Sequence, residues 1–299
     1  MSRVFRSRPL TSLSSKSVAS FVGVAVTGIG AGSAHAATFE VTSTASSGAG
    51  SLADAVALAN AAPGADTIEF KAGVTGAIDV TGAMPITDEV VIVGPGEAVV
   101  TLDASTSNRV FEVTGSKMTV SGLTIAKGES GGEGGAIDGD ASAIIVVDDC
   151  TFFQNYAYSN GGAIEGNDVT ITNSQFIGNE TVGNGGAIAI GDGGKLSVSD
   201  TVFHSGDARD DGGAIFAVNA TVMIADCEFG TLGGPSLKAG TNNTTGNGGA
   251  VATEGGMLTV RDSSFSSCST GQYGEGGAIS GHNTVVEVTG SCWRALTSA

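Results

Sequence analysis

The chain has 299 residues, 48 of them glycine and only 5 proline, so it is neither collagen nor a proline-rich linker; with 41% hydrophobic and 14% charged residues it is not disordered throughout. Thirteen basic against 30 acidic side chains give a net charge of −17, which argues against nucleic acid as a partner. Aromatics make up only 5%, so the expected core is layered Val, Ile, Ala and Phe rather than a bundle anchored on large rings.

Residues 1–36 read as a signal peptide. A basic, Ser-rich start precedes the apolar run Val18 to Gly32, and Ala34 and Ala36 fit an A-x-A cleavage site, which places the mature start at Ala37. A membrane anchor is the other reading of this run, but it is shorter and less apolar than the ~20 residues a spanning helix needs. Removing residues 1–36, which carry Arg3, Arg6, Arg8 and Lys16 and no carboxylate, leaves 9 basic against 30 acidic side chains, a net of −21. No later stretch could span a membrane, so an exported product without a transmembrane segment is expected.

Residues 37–70 form a capping segment. Leu52, Val56 and Ala59 share one helical face, and Asn60 and Pro63–Gly64 are expected to end that helix. Such an amphipathic helix suits the open end of a stack of strands, whose edge must be covered. Strand-like runs follow at Val90–Val93 and Val99–Leu102, opening a strand-rich region over 71–299.

From about residue 115 the chain repeats itself. Gly-Gly-Ala-Ile or Gly-Gly-Ala-Val begins at Gly134, Gly161, Gly185, Gly212, Gly248 and Gly276, spaced by 27, 24, 27, 36 and 28 residues. An aromatic lies 13 to 16 residues after each motif alanine, at Phe152, Phe176, Phe203, Phe229, Phe265 and Trp293, and Ile125 takes the same place one unit earlier. Before each comes an alternating pair: Met118/Val120, Ile145/Val147, Val169/Ile171, Leu196/Val198, Val222/Ile224, Leu258/Val260 and Val286/Val288. Short alternating β-branched strands in units of this length predict an all-β, right-handed, single-stranded parallel β-helix with a short N-terminal amphipathic capping helix. A leucine-rich repeat is the competing solenoid, but its leucine spacing and helical half-repeat are missing. Ile137, Ile164, Ile188, Ile215, Val251 and Ile279 should form one inward ladder and the aromatics another.

Four of the six motifs read Asn-Gly-Gly or Asp-Gly-Gly, sequences suited to a sharp corner at positive φ. A further column, three residues before each aromatic, reads Gly122, Asp149, Asn173, Asp200, Asp226, Asp262 and Gly290. These side chains can close turns onto backbone amides; a calcium ladder through Asp149, Asp200, Asp226 and Asp262 is the other reading.

Gly-Gly-Ala-Ile together with Phe152-Phe153-Gln154-Asn155 and Phe176-Ile177-Gly178-Asn179 resembles the repeat of the polymorphic outer membrane proteins, over roughly residues 115–299. Only these two units keep the Asn, its place being taken by Gly206, Leu232 and Cys268 elsewhere. Ser51 to Asn60 followed by Gly64 to Phe70 is similar to the entry segment of secreted bacterial pectate-lyase-like β-helix proteins. The resemblance implies display at the cell surface or release, and often adhesion, without implying a reaction. It places the product outside the cell or in the cell envelope, at the cell outer membrane in a Gram-negative cell. Family members that stay in that membrane carry a C-terminal barrel, which this sequence is not expected to supply.

The expected function is therefore a secreted or cell-surface binding or structural module, adhesin-like rather than enzymatic, with a surface glycan or protein as ligand. No catalytic, cofactor-binding or metal-binding residue is assigned. The alternative is a carbohydrate-active enzyme of the pectate-lyase-like class, a polysaccharide lyase or glycoside hydrolase. Against a lyase, Lys71, Arg109, Lys117, Lys127, Lys195, Arg209, Lys238, Arg261 and Arg294 are scattered and make no basic groove, and the net charge repels polyanions. Asp207, Arg209, Asp210 and Asp211 near His204 read as a polar corner rather than an acid/base pair. Ser280-Gly281-His282 resembles a polygalacturonase fragment without the companion motifs, and His204 and His282 fall in different units. Cys150 and Cys227 share a column three coils apart, ~14 Å on the strand spacing, too far for a disulfide; Cys268 and Cys292 lie in different columns. The long unit between Phe229 and Phe265 predicts a surface loop over Gly230–Thr245, so that deleting Pro235 to Thr244 should leave the fold intact. After Trp293 the sequence offers no capping helix, which predicts end-to-end self-association or a longer parent chain.

Overall fold

The computed structural model describes residues 35–105, 108–230, 236–240 and 246–294. The signal reading of residues 1–34, Leu232 and the tail 295–299 lie outside them. Among the described residues, three parallel sheets of sixteen, nine and six strands run along a β-helix of about nine coils.

The ladder after the glycine corner falls in the expected register. Ile137 pairs with Ile164, then Ile188, Ile215, Val251 and Ile279, and the column continues upward through Phe111 to Met84. From Phe111 to Val251 every member is fully buried. In the nine-stranded sheet Ile78, Leu102 and Ile125 lead into Phe152, Phe176, Phe203, Phe229, Phe265 and Trp293. Ring centroids from Phe152 to Trp293 stand 4.7 to 5.0 Å apart. That is the strand spacing itself, so each coil sets its ring on the one before. The alternating pairs form a third set of columns, from Met118/Val120 to Val286/Val288.

Polar ladders close the gaps between columns. Asn155 and Asn179 are buried: Asn155 donates through Nδ2 to the Ile125 carbonyl (3.1 Å) and to Asn179 Oδ1 (2.9 Å), and Asn179 donates to the Phe152 carbonyl (3.0 Å). Two residues before the aromatics, Ser174 Oγ accepts from the Cys150 amide (3.2 Å) and Ser263 Oγ from the Cys227 amide (3.1 Å), so small hydroxyls satisfy backbone donors at a corner. The four cysteines are unpaired, and burial pushes the Cys150 thiol up to about 12. The column Asp149, Asn173, Asp200, Asp226 and Asp262 has φ near +50° throughout. This left-handed corner admits Asp, Asn and Gly with least strain and accounts for the column's composition.

The helix runs over Leu52–Ala61 and buries Leu52, Ala55, Val56 and Ala59 against the strands Thr38–Val41, Asp66–Phe70 and Met84–Ile86. Ser51 Oγ accepts from the Asp54 amide (3.1 Å), and Asp54 accepts from the Gly50 amide (3.2 Å), a reciprocal N-terminal cap. Asn60 does not end the helix. Its side chain accepts from Thr87 N (2.9 Å) and donates to the Pro85 carbonyl (2.7 Å), tying the helix to the coil below. The capping segment also supplies two rungs: Thr38–Val41 pairs with Asp66–Phe70, which pairs with Val90–Val93.

The long unit differs from expectation. Leu237–Ala239 is a strand of the six-stranded sheet, with Leu237 opposite Cys268 and Ala239 opposite Ala208. Leu237, not Leu232, therefore takes the place of the ladder asparagine, and both Leu237 and Ala239 are buried. Deleting Pro235 to Thr244 would remove core, because the extra residues flank a three-residue strand instead of forming one loop.

Candidate functional site in the groove beside the glycine corner

The glycine corner folds the chain back over the strand that follows it. The residue after each motif Ile or Val points away from the interior, and these residues stack as Glu112, Asp138, Glu165, Ala189, Phe216, Ala252 and Ser280. Although outward-facing, Ala189, Phe216 and Ala252 are only 3%, 7% and 3% exposed. They lie buried outside the inward columns, so the groove whose floor is this column is open to solvent at its half-buried ends, at Asp138 and Glu165 and at Ser280. One wall is the residue before each glycine pair: Glu133, Asn160, Asn184, Asp211, Asn247 and Glu275. Its members hold each other coil to coil. Asn184 N donates to Asn160 Oδ1 (3.0 Å), Asp211 N to Asn184 Oδ1 (2.9 Å), and Glu275 N to Asn247 Oδ1 (2.8 Å).

The N-terminal end of the groove is acidic. Carboxylate oxygens of Glu133, Asp138 and Glu165 lie within 4.8 Å of one another, and Arg109 pairs with Asp138. The guanidinium is fixed by donating to Ser130 Oγ (2.7 Å) and to the Glu133 carbonyl (2.8 Å). Burial pushes Asp138 up against the downward pull of Arg109. Burial, then the neighbouring Glu133 and Asp138 carboxyls, push Glu165 up to about 8, so it keeps its proton at neutral pH and hydrogen-bonds Asp138. The three carboxyls could bridge a divalent cation, but Arg109 already supplies one of them with a positive charge.

This arrangement sets a pH dependence. The unfolded glutamate loses its proton near its ordinary 4.5, whereas the folded one holds it to about 8, so the folded state binds the extra proton in between. Stability is therefore fully held below about 4.5 and falls as the pH rises through that window. Glu165→Gln keeps a neutral donor beside Asp138 and should melt several degrees above the wild type at pH 8.5 but not at pH ~4.5; parallel melting curves across the range would refute the assignment.

At the other end a polar cavity of about 260 Å³ is lined by Asp211, Asn247, Thr253, Glu254, Glu275 and His282, among others. The structure thus brings Asp211 to His282, which the sequence places in separate units. Asp211 also behaves as a corner: its Oδ1 accepts from the Asn247 amide (2.6 Å). His204 sits in the nine-stranded sheet, opposite Ile177, away from the floor column. Sequence reasoning singled out neither the Arg109, Asp138 and Glu165 cluster nor the groove. Only the spacing was available as a signal: each of these residues directly follows a motif Ile or Val, but their identities do not repeat.

Stacked corners, inward ladders and an external groove define a parallel β-helix built from glycine-corner repeats. The family model of the Chlamydia polymorphic membrane protein repeat matches residues 149–167, from the left-handed Asp149 through Phe152, Asn155 and Gly161-Gly162-Ala163-Ile164. The chain therefore carries that repeat. None of the curated proteins compared with the chain matches it. Repeat and fold together suggest a surface- or outer-membrane-associated protein. Among the described residues, no helix is long and apolar enough to cross a membrane.

Proposed function

We propose that the chain is a secreted or surface-displayed, adhesin-like module that holds an extended neutral glycan along the groove. The observation that carries this reading is the make-up of the coils at Asn184 and Asn247, where a half-buried amide precedes the glycine pair and an alanine, Ala189 or Ala252, takes the floor position. The half-buried amides and the hydroxyl of Ser280 meet sugar hydroxyls, while acidic ends and a net charge of −17 repel polyanions. On a glycan array the protein should retain neutral oligosaccharides. Ser280→Tyr, which fills the half-buried end of the floor without touching an inward column, should weaken that retention about tenfold, the loss expected for one blocked contact. Retention of no neutral glycan, or retention unmoved by the substitution, would count against the groove.

The second reading, a carbohydrate-active enzyme, is favoured by one observation: Glu165, pushed up to about 8 by burial, lies within 4.8 Å of Asp138, a carboxyl paired with Arg109, so a candidate acid stands beside a second carboxyl. Appearance of new reducing or unsaturated sugar ends, abolished in Glu165→Gln, would establish it in place of simple binding. A further partner is a second copy of the chain. Val286, Val288 and Trp293 continue inward columns yet are 41%, 39% and 54% exposed, a face suited to end-to-end stacking.

A further inference from the structure

The strand Thr38–Val41 is the outermost of the sixteen-stranded sheet and pairs with Asp66–Phe70. Asp66 opens the second of these strands and stands opposite Val90 at the head of an inward column that continues with Met118, Ile145, Val169, Leu196, Val222 and Leu258. It is 0% exposed. Its Oδ1 accepts from the Ala37 backbone nitrogen at 2.7 Å, and its Oδ2 is buried with no hydrogen-bond partner among the described residues. None of the ion pairs among the described residues includes it. A carboxylate in such a place is costly unless a cation meets it.

The nitrogen in contact with Asp66 is the one that the sequence singles out on separate grounds. Ala34 and Ala36 present small residues three and one positions before the Ala36–Ala37 bond. We propose that a protease reading these small residues cuts this bond, and that the new α-ammonium of Ala37 forms a buried ion pair with Asp66 that locks the first rung of the β-helix. Hydrolysis adds one water across the bond, leaving a carboxylate on Ala36 and an ammonium on Ala37. One amide N–H becomes three charged donors at the same position, so Oδ2 gains a partner and the buried carboxylate a counter-charge. The Ala37 carbonyl accepts from Thr67 N at 2.8 Å, which already holds the residue in place for the pair. The uncut chain lacks the pair, so cutting and stable closure of the capped end are coupled. The inference is independent of what the groove binds.

The test begins with the mass of the exported chain, expected to start at Ala37; any other mature start overturns the proposal. Four purified chains then complete it: starting at Ala37 or at Ala36, each with Asp66 or with Asp66→Asn. The chain starting at Ala37 should melt several degrees above the one starting at Ala36, and Asp66→Asn should erase that difference. Equal melting of the two starts with Asp66 intact overturns the pair, as does a difference that persists in Asp66→Asn. Should Asp66→Asn fail to fold, slower acylation of the Ala37 amine in the native than in the urea-unfolded chain reads the same contact, and equal rates overturn it.

Discussion

Ile188→Asp is expected to destabilise the protein by at least ~4 kcal/mol, enough to take most of the stability of an ordinary domain. Ile188 lies between Ile164 and Ile215 in a fully buried column. The aspartate must either hold a proton far above its normal range or bury a charge between two isoleucines, and the lost aliphatic packing adds to either cost. A β-helix adds a consequence of its own: each rung is held by its neighbours, so a broken rung severs the coils above from those below. Ser197→Asp, on the same strand but outward and exposed, is the control and should stay within ~0.5 kcal/mol. Denaturant midpoints of the two variants decide the matter; similar midpoints would refute the register.

The ladders were legible in the sequence because a solenoid places every inward position at one coil length from its copy. Pattern alone therefore fixed which Ile meets which Ile and which Phe stacks on which Phe. The reading failed where the count was interrupted. Three residues after Phe229 is Leu232, yet the ladder position belongs to Leu237, because part of the surplus precedes the strand Leu237–Ala239 and part follows it. Counting along a sequence cannot divide an insertion around so short a strand. The groove was missed for another reason. Its floor changes chemistry along its length, from Glu112, Asp138 and Glu165 to Ala189, Phe216 and Ala252, so it did not look like a column although its spacing is that of one. Arg109 joins Asp138 from the coil above, a contact visible only once the register is known. Asp66 was hidden likewise: alternation puts it on the face of Ile68, but an acid at a strand's first position reads as a solvated end until the register sets it opposite Val90 in the interior.

Gly213→Ala should cost ~3 kcal/mol or more, the upper range for forcing atoms into packed space, whereas Gly277→Ala at the same motif position should be nearly neutral. The first glycine of each pair has positive φ, +67° at Gly212, where a side chain is strained by the backbone alone. The second glycine is not among the positive-φ residues, so conformation does not explain it. Space does. A Cβ on Gly213 would overlap the Gly249 carbonyl oxygen of the next coil and come within 2.6 Å of the Lys238 backbone nitrogen and oxygen. All are backbone atoms, Lys238 in the strand Leu237–Ala239 and Gly249 in the next glycine corner, and they cannot give way without parting the coils. Gly135, Gly162, Gly186 and Gly249 meet the same obstacle, whereas a Cβ on Gly277 finds nothing within 4 Å. The pair of substitutions thus separates two accounts of the motif, a turn that needs flexible backbone at both glycines and a stack that needs a bare Cα at the second. If Gly277→Ala were as damaging as Gly213→Ala in thermal melts, the requirement would belong to the turn; a large loss at 213 alone assigns it to the contact between coils.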